Sequence, residues 1–213
     1  MKKNILISIA LASIFTACSV KMPEMLSFGS SLNYEEILNE ANLCKIKEKD
    51  SEKLSCYKKI EHTNSFAQIR LGTYYADKKD YTNAIKYLNL AKKSGNLYAN
   101  LPISFLYYKG DGVAKDINRS FELLNESSEV DPVAAYQLSR FYLQGINTKV
   151  DTEKGIKLLE FAGEKGLRQA QEMLANIYKT GLFDEPKDGV KYNFWQKKYK
   201  SNIEDNNHKI YVL

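Results

Sequence analysis

The side chains able to do soft-ligand or thiol chemistry are few: three cysteines, Cys18, Cys44 and Cys56, and two histidines, His62 and His208. A structural zinc site takes four such ligands, and Cys44, Cys56 and His62 leave it one short. No dinucleotide loop or haem-attachment pattern accompanies them, so neither a cofactor nor a metal is expected. Cys44 and Cys56 lie equally far on either side of Asp50. If the chain reverses there between two antiparallel helices, the sulfurs meet. A bridge closing so short a loop stabilises by about 3 kcal/mol in chain-entropy terms. A structural disulfide is therefore expected, with free thiols as the alternative.

Cys18 has a different setting. Met1 to Asn4 is a short positive start, and Ile5 to Phe15 is an uncharged apolar run. A membrane-spanning helix needs about 20 such residues, so this run has the proportions of a secretory signal. It ends in Phe15-Thr16-Ala17-Cys18, which resembles the lipobox of bacterial lipoproteins, although that family prefers leucine where Phe15 stands. The resemblance implies a signal peptide over 1–17 and a lipidated Cys18 as the mature N-terminus. The membrane partner is then a lipid anchor, each buried methylene contributing about 0.8 kcal/mol. Ser19 after the cysteine implies the outer membrane, facing the periplasm; ordinary secretion is the alternative. Secretion also places Cys44 and Cys56 where disulfides persist. Residues 18–32 lack any sustained period and read as a flexible tether, at most roughly 50 Å long.

Composition narrows the remainder. Of 213 residues, 44% are hydrophobic and 12% aromatic, enough for a folded core. The formal charge of +5 is spread along the chain with no basic stripe, so nucleic acid is not an expected partner.

The elements that must position any site show themselves as a repeat. Segments starting at Ala67, Ala99, Ala134 and Ala170 align, with starts 32, 35 and 36 residues apart. The fifth position is Leu71, Ile103, Leu138 or Leu174, the sixth is Gly72, Ser104, Ser139 or Ala175, and the ninth is Tyr75, Tyr107, Tyr142 or Tyr178. Offsets 0, 4, 7 and 8 share one helix face, giving a regular apolar stripe. The small residue beside it lets a neighbouring helix approach closely, and the tyrosines are expected to be buried. Gly110, Gly145 and Gly181 can take the left-handed conformation that ends a helix. A second helix then starts at Asp80, Asp116 and Asp151, residues that cap exposed amides. Asp131-Pro132 reads as a cap followed by proline at the first helical position.

This pattern resembles the SEL-one-like repeat, a relative of the tetratricopeptide repeat, best in Leu106-Tyr107-Tyr108-Lys109-Gly110-Asp111-Gly112-Val113 and in Phe141 to Gly145. The first and fourth copies are worn, as terminal units of a stack often are. The resemblance implies an all-α fold, a right-handed α-solenoid of antiparallel helix pairs. An N-terminal helical pair is expected over 33–63, about four repeat units over 64–200, and a C-terminal tail over 201–213. Trp195 is expected to cap the last unit.

Such rods present an extended inner surface, lined by their first helices, and the resemblance implies that this chain binds proteins rather than catalyses. The expected partner contacts are polar positions off the buried stripe: Arg70, Thr73 and Asp77; Gln137, Arg140 and Gln144; Asn176 and Lys179. The expected function is an envelope-anchored scaffold for a protein partner. The alternative is an immunity protein that neutralises a periplasm-acting antibacterial effector, since the chain is similar in outline to periplasmic repeat lipoproteins of that kind. A weaker alternative is hydrolysis: a related group of secreted cysteine-rich repeat proteins is linked to weak β-lactamase activity. Ser55-Cys56-Tyr57-Lys58 has the Ser-x-x-Lys spacing of serine β-lactamases, but the companion motifs are missing. The chain is therefore expected not to be an enzyme.

Overall fold

Asp80, Asp116, Asp131 and Asp151 each accept a hydrogen bond from a backbone N–H two or three residues on, at 2.9–3.2 Å. Each satisfies an amide that has no partner inside its own helix. Asp188 does the same where the sequence marks a helix only weakly, accepting from Val190 and Lys191. The structure is a computed structural model describing residues 33–203 and 207–213. The signal segment, Cys18 and the tether expected over 18–32 lie outside the described residues.

Among the described residues ten α-helices follow in order: α1 (Tyr34–Lys45), α2 (Asp50–Ile60), α3 (Ser65–Asp77), α4 (Tyr81–Lys93), α5 (Asn100–Lys109), α6 (Ile117–Ser127), α7 (Pro132–Gln144), α8 (Thr152–Glu164), α9 (Arg168–Thr180) and α10 (Gly189–Ser201). Among the described residues there is no strand, and no helix is long and apolar enough to cross a membrane. Helices α3 and α4, α5 and α6, α7 and α8, and α9 and α10 pack as pairs; α4 meets α5, α6 meets α7, and α8 meets α9. The pairs therefore nest in chain order as an α-solenoid, with α1 and α2 packed on α3. Cys44 of α1 and Cys56 of α2 form a disulfide, their Cα atoms 5.4 Å apart.

Packing explains the small-residue column. A Cβ on Gly72 of α3 would lie 2.6 Å from Cγ of Leu88 in α4, so the two helices touch closer than any side chain allows. Ser104 and Ser139 are buried, and each hydroxyl turns back to a carbonyl one turn earlier, Leu101 or Tyr136. Gly110, Gly145 and Gly181 are left-handed, and so is Lys79, a non-glycine in the corresponding turn of the first unit. The tyrosine column divides. Tyr142 and Tyr178 are buried, whereas Tyr75 and Tyr107 are only half-buried, Tyr75 stacking on Tyr87 with ring centroids 5.6 Å apart. Trp195 is buried and closes over Gly163 at the end of the stack.

Candidate functional site

The first helices of successive pairs carry their polar stripe on one side of the molecule, and that side holds a row of depressions. Thr73, Asp77, Phe105 and Lys109 border one of about 170 Å³ between α3 and α5. Phe105, Tyr108, Gln137 and Arg140 border another of about 160 Å³ between α5 and α7. Where α7, α9 and α10 meet, an open cleft of about 720 Å³ follows. Neighbouring depressions share wall residues, Phe105 and Gln137 among them, so they form one continuous inner face.

The large cleft gathers four of the residues expected from sequence: Gln137 and Arg140 from α7, and Asn176 and Lys179 from α9. Arg140 donates to Oε1 of Gln137 at 3.2 Å, which holds the guanidinium over the helix face. The Lys179 ammonium lies 5.9 Å from the centroid of the Tyr192 ring, and the Arg168 guanidinium 4.1 Å from that of Tyr199. Cations over aromatic faces are favourable contacts. They also leave the rings of α10 presented to the cleft, with Tyr136 opposite and Glu172 the one acid among the described residues of the wall. Sequence reasoning missed these tyrosines because they lie off the repeat columns.

The remaining expected residues separate. Asp77 is exposed beside the first depression, and Gln144 is exposed at the end of α7 but does not line the cleft. Arg70 is corrected outright. It is only 1% exposed, its guanidinium donating to Oδ1 of Asn42 at 2.6 Å and to the hydroxyl of Tyr57 at 3.2 Å. The helical wheel of α3 places Arg70 off the repeat stripe, but α1 and α2 pack over that face. Burial lowers its pKa, and the Tyr57 hydroxyl offsets part of that. Ser55 and Lys58 are both exposed on α2, away from the inner-face depressions, and Cys56 between them is spent on the disulfide.

The segment over 207–213 does not trail away from the stack. Thr73 donates to the carbonyl of Tyr211 at 2.6 Å, Arg70 to those of Ile210 and Lys209 at 3.2 and 3.4 Å, and Lys45 to that of Lys209 at 3.1 Å. The Tyr211 hydroxyl donates to Oδ2 of Asp131, the cap of α7. Burial pushes the Asp131 carboxyl up to about 6, against the opposing pull of Tyr211 and the Val133 and Ala134 amides. The Tyr211 hydroxyl is raised well above its usual range by burial and by that carboxylate. Lys45 falls to about 8, first through burial and then through the nearby charges of Arg70, Lys209 and Lys53. Sequence reasoning read this stretch as a tail; the apolar run Ile210-Tyr211-Val212-Leu213 is the feature that could have pointed to its docking.

Comparison with known proteins agrees with this architecture. A family model described as Sel1 repeat matches residues 65–96, 99–129, 132–167 and 168–191, more than half of the chain. The alginate biosynthesis protein AlgK of Pseudomonas syringae pv. tomato is 28% identical over 102 residues, which cover 48% of this chain and 22% of that protein. The curated relatives are much longer, and the matched stretch spans 11–22% of them. A Sel1 repeat protein from Oxalobacter formigenes superposes with a TM-score of 0.66 at 26% identity, covering 83% of this chain and 76% of that one. The immunity protein Pa5087 of Pseudomonas aeruginosa superposes with a TM-score of 0.61 at 19% identity, covering 79% and 68%, a likeness of fold alone.

Proposed function

We propose, because this chain belongs to the Sel1-repeat family, that it is a scaffold whose inner face holds another protein in the bacterial cell envelope. One observation carries the reading: the cleft of α7, α9 and α10 joins Tyr136, Tyr192 and Tyr199 with Arg140 and Lys179 in a single open surface. Tyrosine and arginine are the residues that anchor protein interfaces, supplying large rigid area and directed hydrogen bonds. Reversing the charge with Arg140→Glu should weaken capture of a protein partner at least tenfold while the helical circular dichroism stays unchanged. Undiminished capture by the folded variant removes the cleft from the function.

Envelope placement rests on the lipobox-like Phe15 to Cys18, and the Cys44–Cys56 bridge suits an oxidising compartment. Cys18 is the proposed lipidation site. Labelling cells with a palmitate analogue should mark the natural chain and not Cys18→Ser; equal labelling contradicts the anchor. A second reading, neutralisation of an antibacterial effector, is favoured by the shared fold with an immunity protein. Under it, expression of this chain protects a cell exposed to the effector of a neighbouring gene, and a scaffold gives no such protection.

A further inference from the structure

The contacts that hold the last described residues are of an unusual kind for a piece of the fold. Side-chain donors from α1 and α3 read three consecutive main-chain carbonyls, those of Lys209, Ile210 and Tyr211. These bonds are indifferent to which side chains the docked segment carries. Identity enters at one place, where Tyr211 reaches the buried carboxylate of Asp131. Ile210, Tyr211 and Leu213 add apolar contact with the core, and Tyr211 touches both of its clusters. With the segment in place Arg70 and Asp131 are almost fully buried. Arg70 also donates to Asn42 and Tyr57, and Asp131 also accepts from the Val133 amide, so the segment completes a polar seat whose other bonds are already made, and a buried charged group gains from each further partner. Beside Tyr211 and Val212 lies an apolar depression of about 310 Å³ bordered by Leu101, Pro102, Phe105 and Val133, with room for a larger side chain than that of Val212.

From this we infer that the seat between α1, α3 and α7 is a peptide-binding site whose resident ligand is the chain's own Lys209–Leu213. A partner's segment that takes the same turn, with a tyrosine between apolar residues, enters by displacing it. The inference deepens the scaffold reading and rests on it for the existence of a partner. The main-chain donors give the affinity, Asp131 selects the tyrosine hydroxyl, and the resident segment sets a threshold that a weak ligand does not cross.

The test uses a fluorescein-labelled heptapeptide with the sequence of residues 207–213, titrated against the full chain and against full-length Tyr211→Ala. The variant, whose own segment has lost its anchor, should bind the peptide at least tenfold more tightly than the natural chain. A peptide with phenylalanine in place of the tyrosine should bind the variant about tenfold more weakly. Equal affinities of the two chains, or no binding by a variant of native circular dichroism, overturns the proposal. The natural chain supplies a second measurement that needs no variant. Trypsin should cut the Lys209–Ile210 bond slowly, and an excess of the heptapeptide with glutamine in place of its lysine should accelerate that cut several-fold. A rate that the peptide leaves unchanged also overturns it. Neither arm contains a partner protein, so failure here leaves the Arg140→Glu capture result standing. Unchanged capture there likewise leaves the peptide result intact.

Discussion

Replacing Gly72 by alanine sets helix propensity against packing. In the middle of a helix, alanine is favoured over glycine by about 1 kcal/mol. Here the new Cβ would lie 2.6 Å from Cγ and 2.7 Å from Cδ2 of Leu88, and 3.2 Å from its backbone nitrogen. Ordinary contact begins at 3.4 Å, so the nearest carbon is about 0.8 Å too close. Leu88 is fully buried and cannot swing aside, so α3 and α4 must part. Forcing an extra methyl into a packed interface costs roughly 1–3 kcal/mol, and the balance is a net loss of about 1 kcal/mol. Leu88→Ala alone costs about 2–5 kcal/mol but removes the clashing atoms. In that background alanine at 72 should recover its propensity advantage, giving a coupling energy of about 2 kcal/mol between the two sites. Urea unfolding of the natural chain, both single variants and the double variant measures it. Stabilisation by Gly72→Ala with Leu88 in place, or additive effects, refutes the close approach on which the nesting of pairs is argued.

Reduction of the Cys44–Cys56 bridge should lower unfolding free energy by about 3 kcal/mol, because the two cysteines are 12 residues apart and the bridge limits the unfolded chain; an unmoved urea midpoint with and without dithiothreitol contradicts it. Asp131 gives a pH dependence of defined sign. Its carboxyl is raised to about 6 in the folded chain from an ordinary 3.8, so between those values the folded state keeps a proton that the unfolded state has lost. Stability from this group is therefore greatest below pH 4 and falls as pH rises to 6, by at most about 3 kcal/mol. The stability difference between the natural chain and Asp131→Asn should decline across that window and level off above it; a difference that grows with pH reverses the assignment.

Local structure was legible because its causes are local. Asp80, Asp116, Asp131 and Asp151 cap helices through bonds to amides two or three residues away, and an Asp before an apolar period announces that geometry. The small column was equally readable, since a repeat writes the same requirement at each copy: Gly72 meets Leu88 at close approach, and Ser104 and Ser139 are fully buried. Arg70 was misplaced because its surroundings come from outside the repeat: Asn42 and Tyr57 belong to a preceding pair, Lys209 and Ile210 to the far end of the chain. No periodicity reports a contact across 140 positions. Tyr192 and Tyr199 escaped for a related reason. They lie on the worn last helix, where the register gives no column to compare, and only the meeting of α7, α9 and α10 gives them a role. Lys79 shows the limit of residue preference, holding a left-handed turn in which the later units use glycine.

Site-specific photo-crosslinking compares the two sides of the stack most directly. A benzophenone side chain at position 176, inside the cleft of α7, α9 and α10, is set against one at position 157, exposed on α8. Irradiated with envelope proteins, position 176 should yield a discrete adduct that disappears on Arg140→Glu, and position 157 should yield none. An adduct of the same protein from 157 and not from 176 would show that the partner is held elsewhere.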